Sequence, residues 1–151
     1  MRIFLMVAAV LVGVANATLY SLIGNNTFDN LFEWQRDPWS LYLLYVLSAV
    51  FAGLLISGGL LRFGEKTLQE GFFARYGLMV IAICIGGALL AVYLTTITFL
   101  FDDRAYVPTR ISEVTYTLAM VTVPGAMLGA IEGVVLAFPL AWLLGLFKKQ
   151  N

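Results

Sequence analysis

Four long apolar stretches, separated by short charged segments, constrain the fold more than any other feature of the sequence. They cover residues 3–23, 39–61, 76–101 and 118–147. Each is long enough to cross the ~30 Å hydrocarbon core of a bilayer, which takes ~20 helical residues. Helices are expected because backbone polar groups in lipid must be satisfied within the segment, and no barrel-like alternation occurs. The sequence therefore predicts an all-α integral membrane protein, with residues 1–151 as a single domain of four transmembrane helices.

The distribution of basic residues predicts the orientation of these helices. Six lie on one side of the predicted spans: Arg2, Arg62, Lys66, Arg75, Lys148 and Lys149. Three lie on the other side, where the acidic residues gather: Arg36, Arg104 and Arg110. Because Lys and Arg favour the cytoplasmic side in short loops, we predict that both termini are cytoplasmic, in a plasma membrane or inner membrane.

The first span has an alternative interpretation. Residues 1–17 also fit a secretory signal peptide, with a basic start, an apolar centre and Ala15-Asn16-Ala17 at the position of a cleavage site. Apolar character continues through residues 18–23, and this favours an uncleaved span. Whether the segment is cleaved stays open at this point.

The segment after the first span carries a weaker pattern. In residues 27–35, apolar and polar side chains fall on opposite sides of a helix. This pattern fits a short helix lying in the outer membrane interface. It fits a solvated connector equally well.

Small residues recur at every fourth position of the fourth span, and we call this row the ladder. Its members are Gly125, Gly129, Gly133, Ala137, Ala141 and Gly145. Shorter rows occur in the other spans: Ala9, Gly13, Ala17 and Ser21; Ala49, Gly53 and Ser57; Gly87, Ala91 and Thr95. Small residues at this spacing let a second helix approach the backbone closely. The rows predict either packing of the four helices against each other or docking onto another subunit.

Glu132 is the one acidic residue within the predicted spans. A charged side chain near the bilayer centre costs at least ~2.5–3.5 kcal/mol on insertion scales, so its presence needs a reason. A straight helix over 115–147 would measure ~50 Å, which exceeds the membrane. We therefore predict a kink or break near Pro124, which places Glu132 ~10 Å below the outer boundary.

Other polar residues fall at a similar depth in the remaining spans. With Glu132 they form a predicted buried polar layer: Glu132, Asn16, Ser48, Tyr93 and Thr95. We expect a protonated Glu132 to hydrogen-bond Asn16 or a backbone carbonyl. Three roles remain for Glu132: fixing the helix register, contacting a partner subunit or cofactor, or relaying protons or cations in transport.

The rest of the composition argues against catalysis. The chain has no histidine and one cysteine, Cys84, so it lacks the usual haem and zinc ligands and the usual general base. It carries no nucleotide-binding, hydrolase or metalloprotease motif. We predict no catalytic and no metal site, and therefore not an enzyme. A cofactor stays unknown, with a lipid or a pigment as alternatives to haem. The zero net charge gives no indication of nucleic-acid binding.

Together these patterns predict a non-catalytic integral membrane subunit. We expect it to pack through its small-residue faces in a larger membrane complex or a homo-oligomer, so its partners would be the lipid bilayer and other membrane subunits or itself. The alternative is a small oligomeric transporter or channel that uses Glu132 as its coupling acid.

Overall fold

A computed structural model describes residues 2–27, 38–101 and 110–148. They form five helices: α1 (Arg2–Thr27), α2 (Pro38–Phe63), α3 (Glu65–Leu68), α4 (Phe72–Phe101) and α5 (Ile111–Lys148). No strand occurs in these ranges, so the all-helical prediction is confirmed. The predicted interfacial helix at 27–35 lies outside the described residues, except for Thr27, which ends α1.

Three helices are long and apolar enough to cross a membrane. The qualifying segments are Leu43–Phe63, Phe72–Thr96 and Ile111–Leu146. The segment Arg2–Thr18 of α1 is apolar but shorter. The length and composition of three helices thus agree with an integral membrane protein, whereas the first span and the orientation stay predictions.

The long helix α5 differs from the predicted fourth span. It begins at Ile111 rather than at residue 118, and its 38 residues correspond to ~57 Å. Pro124 and Pro139 both lie inside it, and the helix is continuous through them. The chain therefore does not break at Pro124, and a bend there stays a prediction.

The helices associate as two antiparallel pairs, α1 with α2 and α4 with α5. The α4–α5 contact is the more extensive of the two. A smaller contact between α2 and α4 joins the pairs, and the single turn α3 packs against α4 and α2. We call the region between the two pairs the seam.

The interior of the bundle is built mostly from small side chains. Ala17, Ala49, Ala137 and Ala141 are fully buried, while large apolar side chains such as Phe51 (66 % exposed) point outward. This is the arrangement expected in lipid, where association depends on close backbone approach rather than on removing apolar surface from water.

One end of the bundle is closed by larger residues. Leu5, Leu60, Leu68 and Leu144 come from four different helices and are buried in one cluster. Leu68 belongs to α3, so this short helix covers the bundle at the end where α2 finishes and α4 begins. The exposed side chains of Arg62, Glu65 and Lys66 surround this end.

Candidate functional site

The structure brings the spans' acidic residue into contact with Asn16. The Asn16 amide Nδ2 donates a hydrogen bond of 2.5 Å to Glu132 Oε2, and both side chains are half-buried. Asn16 lies on α1 and Glu132 on α5. The bond therefore crosses the seam and joins the two helix pairs.

The other members of the predicted polar layer make local contacts. Ser48, only 6 % exposed, donates to the Leu44 carbonyl at 2.8 Å, one turn earlier in α2. Thr95 likewise donates to the Ala91 carbonyl at 2.9 Å within α4, and Tyr93 is half-buried. Hydroxyl bonds to the preceding turn satisfy Ser48 and Thr95 without a second helix. Of the five residues, the structure links Asn16 and Glu132 to each other.

The glycines of the ladder face α4 of the same chain. A β-carbon placed on Gly129 would lie 2.6 Å from the carbonyl oxygen of Ile83, and one on Gly133 would lie 3.1 Å from that of Val80. At the end of the contact nearer the start of α5, Gly125 packs against Gly87 and Ala91. These positions leave no room for a side chain, so the sequence has glycine where the two backbones touch.

The lower half of the ladder has different surroundings. Ala137 and Ala141 are completely buried. Gly145 lies against the guanidinium of Arg75, since a β-carbon on Gly145 would be 3.1 Å from both Nη1 and Nη2. The ladder therefore meets helix backbone at one end and a cation at the other.

The rows on α1 and α2 pack against each other in the same manner. A β-carbon on Gly13 would lie 2.8 Å from the carbonyl oxygen of Ala49, and one on Gly53 would lie 2.9 Å from that of Ala9. Each of the four small-residue rows thus contains a glycine that lies against another helix of the same chain.

Two side chains that the sequence analysis gave no role also join α4 to α5. Cys84 Sγ donates to the Ala126 carbonyl at 3.3 Å, and Tyr76 Oη donates to the Val134 carbonyl at 3.0 Å. Cys84 lies three residues before Gly87, on the face of α4 that meets the ladder. Its spacing of three residues from Gly87 was the signal that would have indicated this contact.

The seam contains a cavity of about 70 Å³. Its walls come from α1, α2, α4 and α5 and include Gly13, Gly53, Ile56, Gly86 and Leu90. Asn16 is the polar side chain among the lining residues. The volume exceeds that of a single water site, so the two pairs meet less closely than the helices within each pair.

Arg75 was counted in the sequence only as a charge that sets orientation. The structure buries it, with 9 % of its surface exposed. Its Nε and Nη1 atoms are enclosed and have no hydrogen-bond partner in the described part of the chain. The number of basic residues on each side of the predicted spans could not reveal this burial, because such a count treats every arginine outside a span as solvated.

Within the described ranges, no group of three or more His, Cys, Asp or Glu side chains is placed to hold a metal ion. Comparisons with protein-family models, with curated proteins and with solved structures find no match to this chain.

Proposed function

We propose that this chain is a non-catalytic integral membrane protein that serves as a subunit of a larger membrane complex or a homo-oligomer. In this proposal α1, α2, α4 and α5 all span the membrane, and both termini are cytoplasmic. The observation that carries it is the hydrogen bond between Asn16 and Glu132, which uses the acidic side chain in the middle of α5 to hold the two helix pairs together.

The chemistry of this bond supports a structural role for Glu132. In an apolar environment an unpaired amide or carboxyl is costly, so each group stabilises the other's burial. Interhelical hydrogen bonds in membranes are worth about 0.6–2 kcal/mol. A bond of this size favours one relative position of the pairs and requires no substrate.

The small-residue rows bear on where a partner would bind. The sequence left two uses for the small-residue rows, packing within the chain or docking onto another subunit, and glycines of these rows lie against neighbouring helices of the chain. The surfaces left for a neighbouring protein are the outer faces of the helices, which carry large exposed apolar side chains. On α5 these include Val123, Met127, Ile131, Val135, Phe138 and Trp142. We therefore place the proposed subunit contact on such outer faces.

Gentle extraction followed by mass spectrometry of the intact assembly tests this proposal. The expected result is a defined complex, either with copies of this chain or with other membrane proteins. Cross-linking in the native membrane before extraction controls for dissociation in detergent. A monomer in both measurements would contradict the proposal.

The cavity favours transport as a second candidate. It extends along the seam to Asn16, whose partner Glu132 would be the coupling acid. In this alternative Glu132 exchanges a proton as a substrate enters and leaves the seam.

The substitution Glu132→Gln separates the two candidates. The amide oxygen of Gln still accepts the bond from Asn16, but Gln cannot exchange a proton. A transporter should lose its pH-dependent flux, whereas a structural subunit should assemble as before. Glu65→Gln is the matched control, because Glu65 is exposed on α3 and outside the spans.

A further inference from the structure

Arg75 occupies a position that its own chain leaves incomplete. It lies in the first turn of α4, and its guanidinium packs against Gly145 in the last turn of α5. The side chain is about nine-tenths buried, yet Nε and Nη1 have no partner in the part of the chain that the structure describes.

This arrangement is unfavourable unless something else binds the guanidinium. Arginine stays charged in proteins, so it cannot escape the cost of burial by losing its proton. A buried donor without a partner costs about 1–3 kcal/mol, and more when it is charged. The carboxylates of Glu65 and Glu70, which precede Arg75 in the same short connection, are exposed, and neither bonds to Nε or Nη1. An anion from outside the chain would supply the acceptors that Nε and Nη1 lack.

The surroundings of Arg75 add to the attraction for an anion. The first backbone N–H groups of a helix have no partner within it, and the helix dipole makes this end positive. In α4 these groups belong to Phe72, Phe73 and Ala74, immediately before Arg75. Backbone N–H groups at a helix start bind phosphate, and so does a guanidinium.

Aromatic residues at this end indicate the depth at which the anion would lie. Phe73 is 85 % exposed, and Phe72 packs edge-on against Phe138 of α5 with ring centroids 5.3 Å apart. Tyr76 stacks on Phe72. Aromatic rings near the ends of spans mark the headgroup region of a membrane. In that region phosphate groups belong to the lipids themselves.

We propose that Arg75 and the start of α4 bind the phosphate of an anionic membrane phospholipid. In this proposal the phosphate oxygens accept hydrogen bonds from the guanidinium and from the first N–H groups of α4, and the acyl chains lie along the outer surface of the α4–α5 pair. This site requires insertion of α4 and α5 in a membrane, but it does not require a partner subunit.

The test uses the full chain, purified in detergent and freed of lipid. Phosphatidylglycerol, phosphatidylcholine or inorganic phosphate is then added, and lipid retention is measured by mass spectrometry of the intact protein. We expect at least tenfold stronger retention of phosphatidylglycerol than of phosphatidylcholine. Displacement of phosphatidylglycerol by millimolar inorganic phosphate would identify free phosphate as the ligand and overturn the lipid assignment.

Two arginine variants decide whether Arg75 is responsible. Arg75→Met should lose the preference for phosphatidylglycerol. Arg62→Met should keep it, because Arg62 is exposed at the same end and lies over the Phe63 ring. An equal loss in both variants would indicate unspecific charge attraction, and retention in Arg75→Met would overturn the proposal.

Thermal stability provides a measurement that does not depend on folding of a variant. Phosphatidylglycerol should raise the melting temperature of the unmodified protein by several degrees more than phosphatidylcholine does, since a ligand of the folded state stabilises it. Equal shifts for the two lipids would contradict the site even if Arg75→Met failed to fold.

Discussion

The α4–α5 interface and the seam between the helix pairs are built on opposite principles. At the interface, Gly125, Gly129 and Gly133 bring two backbones into direct contact. At the seam, the helices leave a cavity, and Asn16, which lines it, donates a hydrogen bond to Glu132 of the other pair. The closest approaches at the interface depend on missing side chains, whereas the hydrogen bond across the seam depends on two particular ones.

This difference separates two ways of joining helices in lipid. Close backbone contact gains dispersion energy along the whole length of a helix and tolerates no added atoms. A polar bond across a gap contributes at one point and leaves free space around it. Added side-chain volume should therefore destabilise the contacts within each pair. Removal of a polar side chain should destabilise the contact across the seam.

The largest effect is expected from adding volume to the interface. In Gly129→Leu the new side chain would overlap the Ile83 carbonyl and the Cys84 backbone, which are 2.6 Å and 3.0 Å from its β-carbon. We expect the free energy of unfolding to fall by about 3 kcal/mol, the upper range for overpacking. The measurement is an SDS titration in mixed micelles.

Gly58→Leu is the matched control for this substitution. Gly58 is exposed on α2, and a β-carbon there would meet no atom within 4 Å. Its unfolding free energy should stay the same or rise by up to about 1 kcal/mol, because leucine favours the helix more than glycine does. If both leucine variants lose equal stability, the interface is not the close contact described here.

Two adjacent glycines of α4 sharpen the comparison, because Gly87 faces α5 and Gly86 faces the seam. A β-carbon on Gly87 would lie 3.0 Å from Gly129 Cα, whereas one on Gly86 would lie 3.8 Å from the Ile56 side chain. Gly87→Ala should therefore lose about 1–2 kcal/mol of unfolding free energy.

Gly86→Ala should instead gain up to about 1 kcal/mol, because alanine favours the helix and fits the space. Thermal unfolding of the Gly87→Ala and Gly86→Ala variants, followed by circular dichroism in the same detergent, measures both changes in stability. The same sign of shift for both would remove the distinction between interface and seam.

The smallest effect is expected from the phenol contact at the interface. Tyr76→Phe removes the hydrogen bond to the Val134 carbonyl and leaves the ring in place. The loss should be about 0.6 kcal/mol, the average for such bonds in membranes. Tyr116→Phe is the control, because Tyr116 is 67 % exposed near the start of α5. Equal stability of the two variants would show that the contact adds nothing.

Much of this architecture follows from spacing in the sequence. The length of the apolar stretches predicts the helices, because a helix satisfies every backbone polar group within one membrane-spanning segment. Counting residues from the span ends brings Asn16 and Glu132 to similar depth, and the structure joins them. The spacing also predicts the small-residue rows. It does not predict their partners, because every helix carries such a row and any two would match.

Other features depend on tertiary position and leave little trace in the sequence. Ser48 and Thr95 have the right depth for a polar layer, but each bonds to its own helix, which is the nearest acceptor. Arg75 has the sequence context of a flanking loop charge. It becomes buried only because α4 begins at Phe72, four residues before the predicted span, and because Gly145 leaves space beside it.

The central claim is that the Asn16–Glu132 bond holds the two helix pairs together, and a double-mutant cycle tests it directly. Asn16→Leu and Glu132→Met each leave one polar group unpaired, so each should lose about 1–3 kcal/mol of unfolding free energy. The double variant should be no less stable than either single one, with a coupling energy of about 1 kcal/mol or more. Additive losses, with a coupling energy near zero, would contradict the account.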